Sequence, residues 1–105
     1  MFRLASVELT DNRVLIVEAD GETALRMAED VARSGGVVVE TVVDIAGMLA
    51  AIDGPMRIDS VMADAQTLAQ APIFVPEWLQ AKGLRLVVIA SWDDWFLGDA
   101  DSDQR

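Results

Sequence analysis

Four short apolar runs alternate with segments of helical periodicity along this chain. Residues 14–18 (VLIVE) are rich in branched apolar side chains and predict a buried strand. Ala24, Leu25, Ala28, Val31 and Ala32 then recur at helical spacing over residues 21–33, with charges on the opposite face, and Gly35-Gly36 supplies a helix stop. Residues 37–42 (VVVETV) predict a second strand. Asp44 is placed to cap a helix that carries Ile45, Met48, Leu49 and Ile52 on one face and ends at Gly54-Pro55. A third strand is expected over 58–63 and a fourth over 84–90. Between them, 65–83 is ambiguous. Pro72 and Pro76 interrupt it, and Pro76 suits the first turn of a short helix through Lys82, closed by Gly83. Residues 2–9 partly alternate and read as a short strand or an ordered arm ahead of the turn cluster Thr10-Asp11-Asn12, while the tail 98–105 is polar and expected to fray.

Strands alternating with helices imply βαβ units with right-handed crossovers. The expectation is an α/β domain spanning 1–105, built on an open, mostly parallel sheet of four strands with helices against it. Residues 1–12 would form its N-terminal arm or an added strand. No internal repeat or low-complexity linker divides it.

Composition narrows the chemistry. Eighteen acids against eight bases give a formal charge of −10, so phosphate backbones and anionic membrane surfaces are excluded as partners. No cysteine and no histidine are present, which removes disulfides, Cys/His zinc sites, thiol nucleophiles and His-based triads. Tyrosine is absent too, leaving carboxylates and the single lysine, Lys82, for proton transfer. Phe2 to Leu9 is broken by Arg3 and Glu8 and is too short for a signal-peptide core, and no apolar run reaches membrane-spanning length. A cytoplasmic location is the expectation.

Two of the apolar runs end in acid: VLIVEAD (14–20) and IDSVMAD (58–64). In open α/β sheets the binding crevice lies beyond the carboxyl ends of the strands. Neighbouring parallel strands would gather Glu18, Asp20 and Asp64 there, a donor set suited to a hard divalent cation, with one carboxylate available as a nucleophile. The bland alternatives are that Asp64 caps a turn, that Asp20 is the N-cap of the first helix, and that Asp59 is structural. Met27, Met48, Met56 and Met62 read as core filler.

From about Arg13 to Ser91 the chain resembles the receiver domain of bacterial two-component response regulators, a flavodoxin-like module phosphorylated on aspartate. The stretches that carry the resemblance are RVLIVEAD, the helix after it, and IDSVMADAQ. Asp59 and Asp64 keep the family's five-residue spacing. The resemblance implies strand order 2-1-3-4 and Asp64 as phospho-acceptor. It implies a magnesium (Mg2+) site made of Glu18, Asp64 and the backbone carbonyl of Gln66. Ala19 stands where the family has its second acid, so Asp20 would have to substitute. Ser91 is the candidate phosphate-sensing hydroxyl, Ala90 being the residue that strict strand spacing offers. The family's lysine, fifth strand and last helices have no counterpart.

Phosphoryl transfer to aspartate depends on charge neutralisation by metal, lysine and hydroxyl, so these departures bear directly on activity. The leading expectation is a divergent receiver domain, not an enzyme, that acts in two-component phosphorelay signalling through contacts with a histidine kinase or a phosphotransfer protein. The second is a phosphorylation-independent adaptor or homodimerisation module that uses the strand-four edge and an aromatic tail. In that tail Trp92, Trp95 and Phe96 fall on one helical face. A magnesium-dependent phosphatase is disfavoured because Gln66 occupies the place of its second acid.

Overall fold

The structure, a computed structural model, describes residues 9–71 and 73–89. Its elements follow the order β1 (Arg13–Val17), α1 (Gly21–Arg33), β2 (Val37–Val42), α2 (Ile45–Asp53), β3 (Ser60–Asp64), α3 (Ala65–Ala69), α4 (Val75–Ala81) and β4 (Arg85–Ile89). All strand pairs are parallel and the order across the sheet is β2-β1-β3-β4. The α/β class, the parallel sheet and its strand order therefore match the sequence expectation. Among the described residues β2 and β4 form the two margins of the sheet. The arm over 2–8, Ala90, Ser91, the aromatic group Trp92, Trp95 and Phe96, and the tail 98–105 lie outside the described residues.

The central strands explain the pattern. β1 and β3 are flanked by strands on both sides and covered on both faces, so they consist almost wholly of apolar residues with no exposed surface. Their side chains alternate between two cores. Val14, Ile16 and Met62 join Val87 and Ile89 of β4 beneath Met27 and Val31 of α1. Leu15, Val17, Val61 and Ala63 pack on the other face against Ile45, Met48, Val75 and Leu79 from α2 and α4. Three of the four methionines read as core filler are fully buried, and Met56 is half-buried.

Local signals set the connections. Gly35 adopts φ +87, a left-handed conformation that suits glycine, and its N–H bonds Ala32 O while that of Gly36 bonds Val31 O. The chain then turns into β2, where Val37 N–H reaches Asn12 O. At the amino end of the sheet Asp59 joins three strands. Its N–H donates to Arg13 O, its carboxylate accepts from Arg13 N–H at 2.9 Å, and its carbonyl accepts from Arg85 N–H. Asp59 is structural, as its position suggested.

Three strands shift their bounds. β1 ends at Val17, so Glu18 lies just past the strand; β3 runs from Ser60 to Asp64 rather than 58–63; and β4 begins at Arg85. The ambiguous segment holds two short helices. α4 has Pro76 in its first turn, and α3 is a five-residue helix too brief to show an apolar period. No helix among the described residues is long and apolar enough to cross a membrane.

Candidate functional site

The carboxyl ends of β1, β2 and β3 each lead straight into a helix, and each junction carries an aspartate. A helix leaves its first N–H groups without intrahelical partners, and a side-chain oxygen at the N-cap satisfies one of them. Asp20 accepts from Thr23 N–H at 2.8 Å and also from the Thr23 hydroxyl at 2.7 Å. Asp44 accepts from Gly47 N–H at 2.8 Å. Asp64 accepts from Thr67 N–H at 2.7 Å. Three strand-end aspartates thus perform the same architectural task, and the spacing Asp-x-x-Thr or Asp-x-x-Gly is its sequence signature.

Glu18 differs from them. It is 7% exposed, and its N–H bonds Val42 O, which carries the β1–β2 pairing one residue past the strand. Val17 pairs with Ala63, so Glu18 and Asp64 are the next residues in register and their carboxyl groups meet. Glu18 Oε2 accepts from Asp20 N–H at 3.0 Å, whereas Oε1 is buried with no donor to bond it. Burial pushes the Glu18 carboxyl above its ordinary value of 4.5. The Asp20 N–H opposes that rise, and the hydrogen bond to Asp64 and the charges of Asp64 and Asp20 add to it. Two carboxyl groups share a hydrogen bond only when one holds a proton. Protonation of Glu18 Oε1 at low pH converts the orphaned acceptor into a donor toward Asp64. Asp20 moves the other way, because the Thr23 hydroxyl and N–H hold its carboxyl below the usual range, with Arg26 adding to the effect.

These positions bear on the expected magnesium site. Glu18 and Asp20 do not present their carboxylates side by side. The strand has ended, Ala19 and Asp20 are exposed, and Asp20 turns its carboxylate into α1. Gln66 sits inside α3, where carbonyls point along the helix toward its C-terminal end and so away from Asp64. Among the described residues no group of three or more acids is arranged to hold a metal ion. Magnesium prefers near-octahedral oxygen ligands with full negative charge. In this arrangement Asp20 is engaged through one oxygen as the cap of α1, and the Gln66 carbonyl faces along α3. Ser91 lies outside the described residues.

The Glu18–Asp64 pair has a measurable consequence. A carboxyl whose folded pKa is raised binds its proton more tightly in the native state, so its favourable contribution is complete below pH 4.5. That contribution is lost as pH rises through the folded value. Glu18→Gln keeps an acceptor for Asp20 N–H and offers an N–H to Asp64 at every pH. Leaving a buried polar atom unsatisfied costs about 1–3 kcal/mol, so the variant is expected to gain about 1 kcal/mol at pH 7. Below pH 4.5 the gain should vanish. Urea midpoints at the two pH values check both parts.

No family model matches this chain, and neither the curated proteins nor the solved structures contain a match.

Proposed function

We propose that this chain is a receiver-like adaptor that works through protein contacts and independently of aspartate phosphorylation. The strand order and the pairing of Glu18 with Asp64 at the switch between β1 and β3 support the receiver-like part of this reading. The observation that carries the rest is the engagement of the site acids. Asp20 and Asp64 cap α1 and α3, and Glu18 is buried against Asp64. Phosphoryl transfer to Asp64 would need a metal and further cations at this point, and the residues described around it supply neither. The partner is a histidine kinase, a phosphotransfer protein or a second copy of the chain. An acidic protein with no cysteine, histidine or tyrosine suits a binding role better than a catalytic one.

Asp64→Asn separates this reading from phosphorelay signalling. Asparagine caps a helix as well as aspartate does, so α3 is preserved while the acyl-phosphate acceptor is removed. Affinity capture from the source cells with wild-type and Asp64→Asn baits is expected to recover the same partners in equal yield. A partner recovered by wild type and lost with Asp64→Asn would overturn the proposal.

A further inference from the structure

The charges of this domain are sorted along the strand axis. Arg13 and Arg85 open β1 and β4, Arg57 precedes β3, Arg33 lies in the last turn of α1, and Lys82 ends α4, all toward the amino end of the sheet. Three of these five already meet acids, in the pairs Arg33–Asp30, Arg57–Asp59 and Lys82–Asp53. The carboxyl end carries Glu18, Asp20, Glu22, Asp44 and Asp64. The base that reaches toward them is Arg26, one turn down α1, through its attraction to Asp20.

A crevice of about 440 Å³ opens within this acidic end, between the start of α2 and α3. Ala19, Val43, Ala46 and Leu49 give it an apolar lining, and Asp44 and Thr67 bring polar groups to it. Val43 is 62% exposed at the crevice, a large aliphatic residue left in water. Asp44 lines the depression, Asp20 follows the lining residue Ala19 in the chain, and Asp64 is bonded to the lining residue Thr67. Apolar contact in a groove with opposite charge at its rim is how amphipathic segments are recognised.

We infer that this crevice is the docking site for a basic amphipathic segment of a partner protein, with apolar side chains seated against Val43, Ala46 and Leu49 and lysine or arginine meeting Asp20 and Asp44. Charge complementarity selects this occupant. An acidic peptide or a phosphate-bearing polymer would be repelled by the carboxylates of Asp20, Asp44 and Asp64. The inference rests on the adaptor reading and narrows it to one surface and one partner chemistry.

The test uses the full chain, labelled with 15N, and a synthetic amphipathic leucine–lysine helical peptide as probe, with its leucine–glutamate counterpart as control. The expected result is saturable amide shifts centred on Ala19, Val43, Ala46, Leu49 and Thr67 with the basic peptide alone, weakening as salt is raised. Val43→Lys changes an exposed position and places like charge against the probe, so binding should weaken by about tenfold or more. Asp20→Asn with Asp44→Asn keeps both helix caps and removes rim charge, and should weaken binding without altering the fold. Shifts centred elsewhere, equal response to the acidic peptide, or unchanged affinity in Val43→Lys would each overturn the crevice assignment. Those failures leave the equal capture of partners by wild type and Asp64→Asn untouched, so the two readings fail separately.

Discussion

Replacing Met62 by alanine is expected to remove about 2–5 kcal/mol of stability, the range for truncating a fully buried methionine. Met62 lies at the centre of β3, opposite Ile16 on one side and Val87 on the other, with no exposed surface. Its side chain enters the core under α1 beside Met27 and Val31, so a truncation there opens a void that rigid neighbours on three elements cannot easily close. Domains of this size are stable by only about 5–15 kcal/mol, so the loss is a large share of the total. Thermal unfolding should fall by roughly 10 °C or more. Leu25→Ala is the matched control. Leu25 is 67% exposed on α1, and its truncation is expected to change stability by no more than about 0.5 kcal/mol. Equal destabilisation by the two substitutions would mean that the apolar runs do not form the sheet centre described here.

The bounds 21–33 match α1, although Leu25 and Ala32, expected on its apolar face, are exposed and Met27 and Asp30 are buried. VVVETV matches β2, and both elements are bounded by strong signals, Asp20 before the helix and the glycine pair between helix and strand. Burial on both faces made β1 and β3 legible as apolar runs, but such runs carry no alternation to mark their ends. This is why Glu18 reads as part of the first strand and Asp64 as lying beyond the third. α3 was hidden for a different reason, since five residues complete little more than one turn. The site was legible in its membership and not in its chemistry. Glu18 and Asp64 do meet, as parallel neighbours at the ends of their strands must. Asp20 could equally serve as ligand or cap, because both roles use the same residue at the same place. Thr23 and Thr67, which receive the caps, carried the deciding signal in their three-residue spacing from Asp20 and Asp64.

The second large effect expected is the absence of a reaction. A receiver that works as a phosphorelay switch acquires a phosphoryl group on its strand-three aspartate from a small donor when magnesium is present. Here the carboxylate of Asp64 is bonded to Thr67 N–H and faces the carboxyl of Glu18, and no described group of acids around it is arranged for a divalent cation. The negative charge that builds on the transferring group would therefore meet carboxylates, where catalysis needs cations. Intact-mass measurement after incubation with magnesium and acetyl phosphate tests this most directly, with Asp64→Asn in parallel. The account predicts an unchanged mass for both proteins. A gain of one phosphoryl group by the wild type, absent from Asp64→Asn, would contradict it.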